Sequence, residues 1–135
     1  MTAGYSGRPL AAKLGLKPGM RAWFRDMPAG VLAEILAQVP DLDQQSAPSA
    51  GLEAAHLFVA ERAVLERELA ALHPLMSASG FIWISWPKKA ARVETDIVED
   101  TIRAVALPMG LVDIKVCAVN DVWSGLKLVT RRENR

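Results

Sequence analysis

The sequence predicts an α/β domain: a three-layer sandwich whose mixed, mostly parallel sheet has about five strands and closes on a C-terminal antiparallel hairpin. Three observations lead there. Short apolar strands alternate with amphipathic helical segments along most of the chain. The run FIWISW at 81–86 is apolar on both faces, as a strand in the middle of a sheet covered on each side must be. Beyond residue 110 the pattern changes to two strands, LVDIKVCAVN and VWSGLKLVT, around a turn at Asn120 and Asp121.

In chain order, Pro9 opens a short helix, PLAAKL, that Gly15 ends. After the turn Lys17-Pro18-Gly19, MRAWFRD alternates as a strand, with Arg21, Trp23 and Arg25 on one face and Ala22 and Phe24 on the other. Residues 29–39, AGVLAEILAQV, have helical composition and stop near Pro40. The polar stretch DLDQQSAPSAG at 41–51 reads as a loop with room for one short strand. AAHLFVA at 54–60 is a compact strand, and ERAVLERELAAL after it carries Leu65, Leu69 and Leu72 at i, i+4 and i+7 of a buried helical stripe. Past FIWISW, Pro87 turns the chain out of the sheet. Thr95 then caps a helix with Asp96, Glu99 and Asp100 near its positive end, with Val98, Ile102 and Val105 facing inward. Glu99 and Arg103 form a well-oriented i,i+4 pair. Right-handed crossovers make the early strands parallel, and the hairpin adds an antiparallel one.

The totals bound the function. A chain of 135 residues makes one domain, assigned here to 1–135. With 16 basic and 15 acidic residues, its net charge of +1 gives no pull toward nucleic acid or anionic lipid, so neither is expected as a partner. The single cysteine, Cys117, excludes an internal disulfide and suits a reducing compartment; as a strand residue it should be a buried, inert thiol. The stretch MTAGYSGRPLAAKLG has no apolar core of signal-peptide type, and no run of 18 apolar residues occurs, so the expected location is the cytoplasm. His56 and His73 have no partner at zinc-ligand spacing, and no Ser-His or Cys-His pairing is evident.

The order strand, helix, strand, helix, strand, helix, hairpin is similar to the Rossmann-like fold of S-adenosylmethionine-dependent methyltransferases. LGLKPGMRAWF resembles the lead-in to their first strand, and LHPLMSASGFIWIS the turn and strand after their fourth helix. The resemblance implies the strand order MRAWF, AHLFV, FIWISW, C-terminal strand, then LVDIKVCAV at the edge. It also implies a Gly-rich turn after the first strand and an acidic residue closing a second one, to hold the ribose hydroxyls. Here the turn reads RDMPAGV, and only about 30 residues reach from the first strand to AAHLFV. The cofactor half of the fold is therefore expected to be missing, no cofactor is expected, and S-adenosylmethionine binding should be undetectable. The segments GYSGRPLAAKLGLKPGM, LFVAERAVLERELAAL, SWPKKAARVETDIVED and GLVDIKVCAVNDVWSGLKLV further resemble a short bacterial domain-of-unknown-function family, which implies no activity.

Ligands of open α/β sheets gather beyond the carboxyl ends of the parallel strands. That end should bring together Arg25-Asp26, Ala60-Glu61 and Ser85 to Lys89. Lys88 and Lys89 would hold a small anion there, with Ser85 beside them; alternatively both are solvated, or paired with Glu94 and Asp96. Trp86 and Trp123 are either stacking platforms for a planar ligand or core residues with the indole nitrogen satisfied. Asp121, Ser124 and Lys127 around the hairpin have turn and strand roles as the simpler reading. The favoured function is a non-catalytic domain binding a small anion or a protein partner, with Lys88, Lys89, Trp86, Ser85, Asp26 and Trp123 as candidate ligand residues. The alternative is a reduced methyltransferase-like enzyme. MRAWFRD, deprived of neighbours, would be an edge strand, covered by the N-terminal helix or paired with a second subunit as a homodimer.

Overall fold

A computed structural model describes residues 7–135; the first three residues of the segment GYSGRPLAAKLGLKPGM, Gly4 to Ser6, lie outside that range. The sheet has six strands: β1 (Arg21–Arg25), β2 (Asp43–Gln44), β3 (Leu52–Phe58), β4 (Met76–Pro87), β5 (Leu111–Ala118) and β6 (Trp123–Thr130). Their spatial order is β2-β1-β3-β4-β6-β5, so the five expected strands stand in the expected order. The pairs β2/β1, β1/β3 and β3/β4 are parallel, and β6 runs antiparallel to both β4 and β5.

Helices cover both faces because alternate strand residues are apolar on both. On one face, Ala55, Leu57, Ile82, Ile84, Leu126 and Leu128 meet α3 (Arg62–Leu72) and α4 (Glu99–Ala106). On the other, Ala22, Ala54, Phe58, Phe81 and Trp83 meet α1 (Leu10–Lys13) and α2 (Ala29–Gln38). The stripe Leu65, Leu69, Leu72 is buried as its spacing requires. FIWISW lies in the sheet interior between β3 and β6, and Trp83 donates its indole N–H to Leu14 O at 2.9 Å. Cys117 is buried, as a strand thiol should be. Gly80 is required where β4 bulges against β3: a Cβ there would stand 3.0 Å from Leu52 O.

Three expectations change. MRAWFRD is not the outermost strand: the short strand for which 41–51 had room forms beside it, Asp43 and Gln44 pairing with Arg21 and Ala22 and Gln45 N donating to Ala22 O, so β2 covers the first half of the β1 edge. A strand so short had no periodicity to betray it. Pro87 ends β4 as expected, with one further bond beyond it, Lys88 N donating to Val122 O at 2.7 Å, before the chain leaves the sheet. Thr95 does not cap α4; its hydroxyl donates to Ala60 O and accepts from Ile97 N. The helix starts at Glu99 instead, so Val98 leaves the buried stripe at 62% exposure and Ile97 takes its place in the core. Glu99 does pair with Arg103, whose guanidinium also reaches Asp100 and Asp113 at 2.9 Å each and tethers α4 to β5. These carboxylate contacts raise the Arg103 pKa. No helix among the described residues is long and apolar enough to cross a membrane.

Candidate functional site

The connections leaving the adjacent strands β1 and β3 diverge: that from β1 runs outward through α2 to β2, and that from β3 runs the opposite way through α3 to β4. At such a divergence the loops separate and leave a crevice beyond the carboxyl ends. A cleft of about 290 Å³ lies there, lined by Arg25, Asp26, Phe58, Glu61, Val64 and Trp123. Asp26 turns the chain from β1 toward α2 with φ of 55°, a left-handed conformation that Asp tolerates better than most residues. α2 follows at once, with Pro28 as its cap and no side chain bonded to the first-turn N–H groups. Gly30, already inside α2, faces open space.

The charges around this cleft are of both signs. Arg25 pairs with Asp26 at 2.9 Å and with Glu68 of α3 at 3.1 Å. Asp26 remains 70% exposed at its side chain, and Glu61 forms no ion pair among the described residues. Trp123 meets Phe58 edge to face, with ring centroids 5.2 Å apart, and makes the apolar wall. Asn120 orients Trp123 by accepting from the N–H groups of both Val122 and Trp123 at 2.9 Å.

Two further clefts continue along the carboxyl end. One of about 370 Å³ shares Ala60 and Glu61 with the first and adds Glu94, Thr95 and Asp96. The loop beneath it is clamped to the start of α3, since Asp96 accepts from Arg62 N at 2.7 Å and donates its own N–H to Ala60 O. A third cleft, about 380 Å³, shares Thr95 and lies over Trp86, Pro87 and Lys89.

The six candidate residues thus divide. Asp26 and Trp123 line the β1/β3 cleft, and Trp86 and Lys89 line the third one. Lys88 is half-buried and lines neither of these two clefts. Neither lysine forms an ion pair among the described residues, so neither is held by Glu94 or Asp96. Ser85 is fully buried and faces the opposite way from Trp86, with its hydroxyl 2.6 Å from His56 Nε2. That Ser-His pair escaped the sequence reading, because it depends on the parallel register of β3 and β4. Both side chains are sealed from solvent, with His56 stacked on Phe58 at 4.4 Å, so the contact is a buried hydrogen bond. Burial lowers the His56 pKa to about 3, which keeps the ring neutral.

Comparison with known proteins places this geometry in a fold. No protein-family model and no curated protein matches the chain, so the likeness to the short bacterial family rests on its four segments alone. Solved structures do match. An O-methyltransferase from neocarzinostatin biosynthesis, in complex with S-adenosylmethionine and 2-hydroxy-5-methyl naphthoic acid, superposes with a TM-score of 0.67 at 13% identity over 95% of this chain. The chain spans about half of that protein, 51% of its length. A methyltransferase from Aquifex aeolicus gives 0.59 at 13% identity, covering 88% of this chain and 86% of that one. Magnesium protoporphyrin IX methyltransferase from Synechocystis, with bound S-adenosylmethionine, gives 0.58 at 11%, covering 90% and 74%. The chain has the Rossmann-like fold of the S-adenosylmethionine-dependent methyltransferases, with helices on both faces of the sheet and antiparallel strands near the C-terminus.

Proposed function

We propose that the chain is a reduced methyltransferase-like protein that binds an S-adenosylmethionine-class ligand in the β1/β3 cleft. One observation carries this reading: the cleft lies where the connections from β1 and β3 diverge, in a fold whose solved neighbours include S-adenosylmethionine complexes. The residues there suit the amino-acid end of such a ligand. Arg25 and the uncapped first turn of α2 favour its carboxylate, Asp26 and Glu61 its ammonium, and Phe58 with Trp123 its apolar part. Small-molecule sites span about 300–1,000 Å³. The cleft, at about 290 Å³, falls just short of that range by itself and continues past Ala60 and Glu61 into its neighbour.

This reading departs from the expectation built on RDMPAGV. A glycine in that turn serves a left-handed backbone and a close approach. Asp26 adopts the left-handed conformation itself, and the space in front of Gly30 is open. The expected carboxylate closing a second strand is absent, since Asp43 begins β2 and Gln44 ends it.

Calorimetric titration with S-adenosylmethionine, S-adenosylhomocysteine and methionine tests the reading. Saturable binding of the first two is expected. Asp26→Asn keeps a left-handed-tolerant residue, removes the charge, and should weaken both by about tenfold, the worth of one charged hydrogen bond. Absence of binding at millimolar ligand, or equal affinity in Asp26→Asn, refutes it.

A further inference from the structure

The third cleft differs in chemistry from the one at β1/β3. Its floor is Trp86 and Pro87, at the carboxyl end of the central strand, and Ile97, Val93 and Val98 form its sides. Lys89 is the one charged side chain that lines it. The remaining polar group, the Thr95 hydroxyl, is already engaged with Ala60 O and Ile97 N.

Two features have no explanation in folding alone. Val93 and Val98 are 44% and 62% exposed at the mouth of the cleft, although neither serves the core there. Val98 moreover occupies the cap of α4, where Ser, Thr, Asn or Asp would satisfy the helix N–H groups and Val cannot. Arg92, by contrast, is left-handed with φ of 56° because it ends the 3-10 turn at Lys89–Ala91, its N–H donating to Lys89 O. An occupant covering the two valines would recover apolar burial that the free protein forgoes.

We propose that this cleft binds an amphipathic monoanion, an apolar body lying on Trp86 between Val93 and Val98 with its carboxylate at Lys89. The cleft volume of about 380 Å³ accommodates a compact small molecule. Complementarity fixes the class. A neutral apolar ligand would leave Lys89 unmatched, and a small inorganic anion would leave the apolar walls bare. The inference does not rest on what occupies the β1/β3 cleft, which has different lining residues apart from the loop between them.

Octanoate and 1-octanol, titrated into the full chain and followed by calorimetry, test it. Octanoate should bind saturably and more tightly than octanol, and inorganic phosphate should give no heat. Lys89→Met retains the apolar stem and should weaken octanoate by about tenfold while leaving octanol unchanged. Val98→Ser should weaken both several-fold. Both positions are exposed, and circular dichroism of the variants shows whether the fold is intact. If octanoate does not bind at millimolar concentration, the proposal is wrong. It is equally wrong if Lys89→Met binds octanoate as well as the parent does, or if phosphate competes. Titration of S-adenosylhomocysteine into Lys89→Met separates the two readings, because its binding there should be unchanged.

Discussion

At the scale of single residues, His56 is buried in the sheet against Ser85, and its burial makes folding sensitive to acid. Each group is sealed in the sheet, so each depends on the other for its hydrogen bond. Ser85→Ala should cost about 1–3 kcal/mol, because a buried ring nitrogen is left without a partner. Adding His56→Leu should cost less than the sum of the single changes, a coupling that a double-mutant cycle reads directly. The pH dependence has a definite sign. Burial lowers the folded His56 pKa to about 3, whereas the unfolded ring titrates near 6.5. Between those values the unfolded chain binds a proton that the folded chain does not, so stability falls as pH falls through that window and is full above it. His73, whose pKa partial burial also lowers, contributes in the same direction. Denaturation midpoints at pH 7.5, 6, 5 and 4 should therefore decline less steeply for the double variant than for the parent. Equal slopes would show that His56 is not the group responsible.

At the scale of elements, the start of α4 shows how a good sequence rule can land on the wrong residue. Thr95 has the chemistry of a cap and lies just ahead of acidic residues, yet its hydroxyl is drawn to Ala60 O. The loop 94–96 is occupied in clamping the start of α3, where Asp96 accepts from Arg62 N. Helix α4 begins four residues after Thr95, with Val98 at its cap and no side-chain acceptor for its first turn. What partly compensates is Thr101, whose hydroxyl accepts from Val98 N at 3.1 Å. Val98→Ser supplies the missing acceptor and should stabilise the protein by about 0.5–2 kcal/mol in chemical denaturation. A loss of stability would mean that Val98 packs in a way its exposure does not indicate. A gain in stability together with weaker octanoate binding would be the usual trade between fold and function at a ligand site. The short strand β2 teaches a related lesson. Two residues carry no period, and only their hydrogen bonds to β1 reveal them.

At the scale of the whole molecule, the sheet order was legible and the sites were less so, for a physical reason. Strand order follows from patterns that many residues share: the two-sided burial of FIWISW, the leucine stripe of α3, and the alternation in the hairpin. A cleft depends on where a few loop residues come together, and loop geometry is set by contacts distant in sequence. Asp26 and Trp123 are 97 positions apart and share the β1/β3 cleft because β6 returns beside β4. Adjacent Lys88 and Lys89 diverge, one half-buried beside the hairpin and the other exposed over Trp86. Ser85 and Trp86 are separated more completely still, since a strand sends successive side chains to opposite faces. The central claim is that the divergence of the connections from β1 and β3 makes a ligand site. Amide chemical shifts of the isotope-labelled chain, followed while S-adenosylhomocysteine is added, test it most directly. The account predicts saturable shifts concentrated at residues 25–31 and 58–61, with the strand β5 undisturbed. An unchanged spectrum at millimolar ligand, or shifts that avoid those two segments, would contradict it.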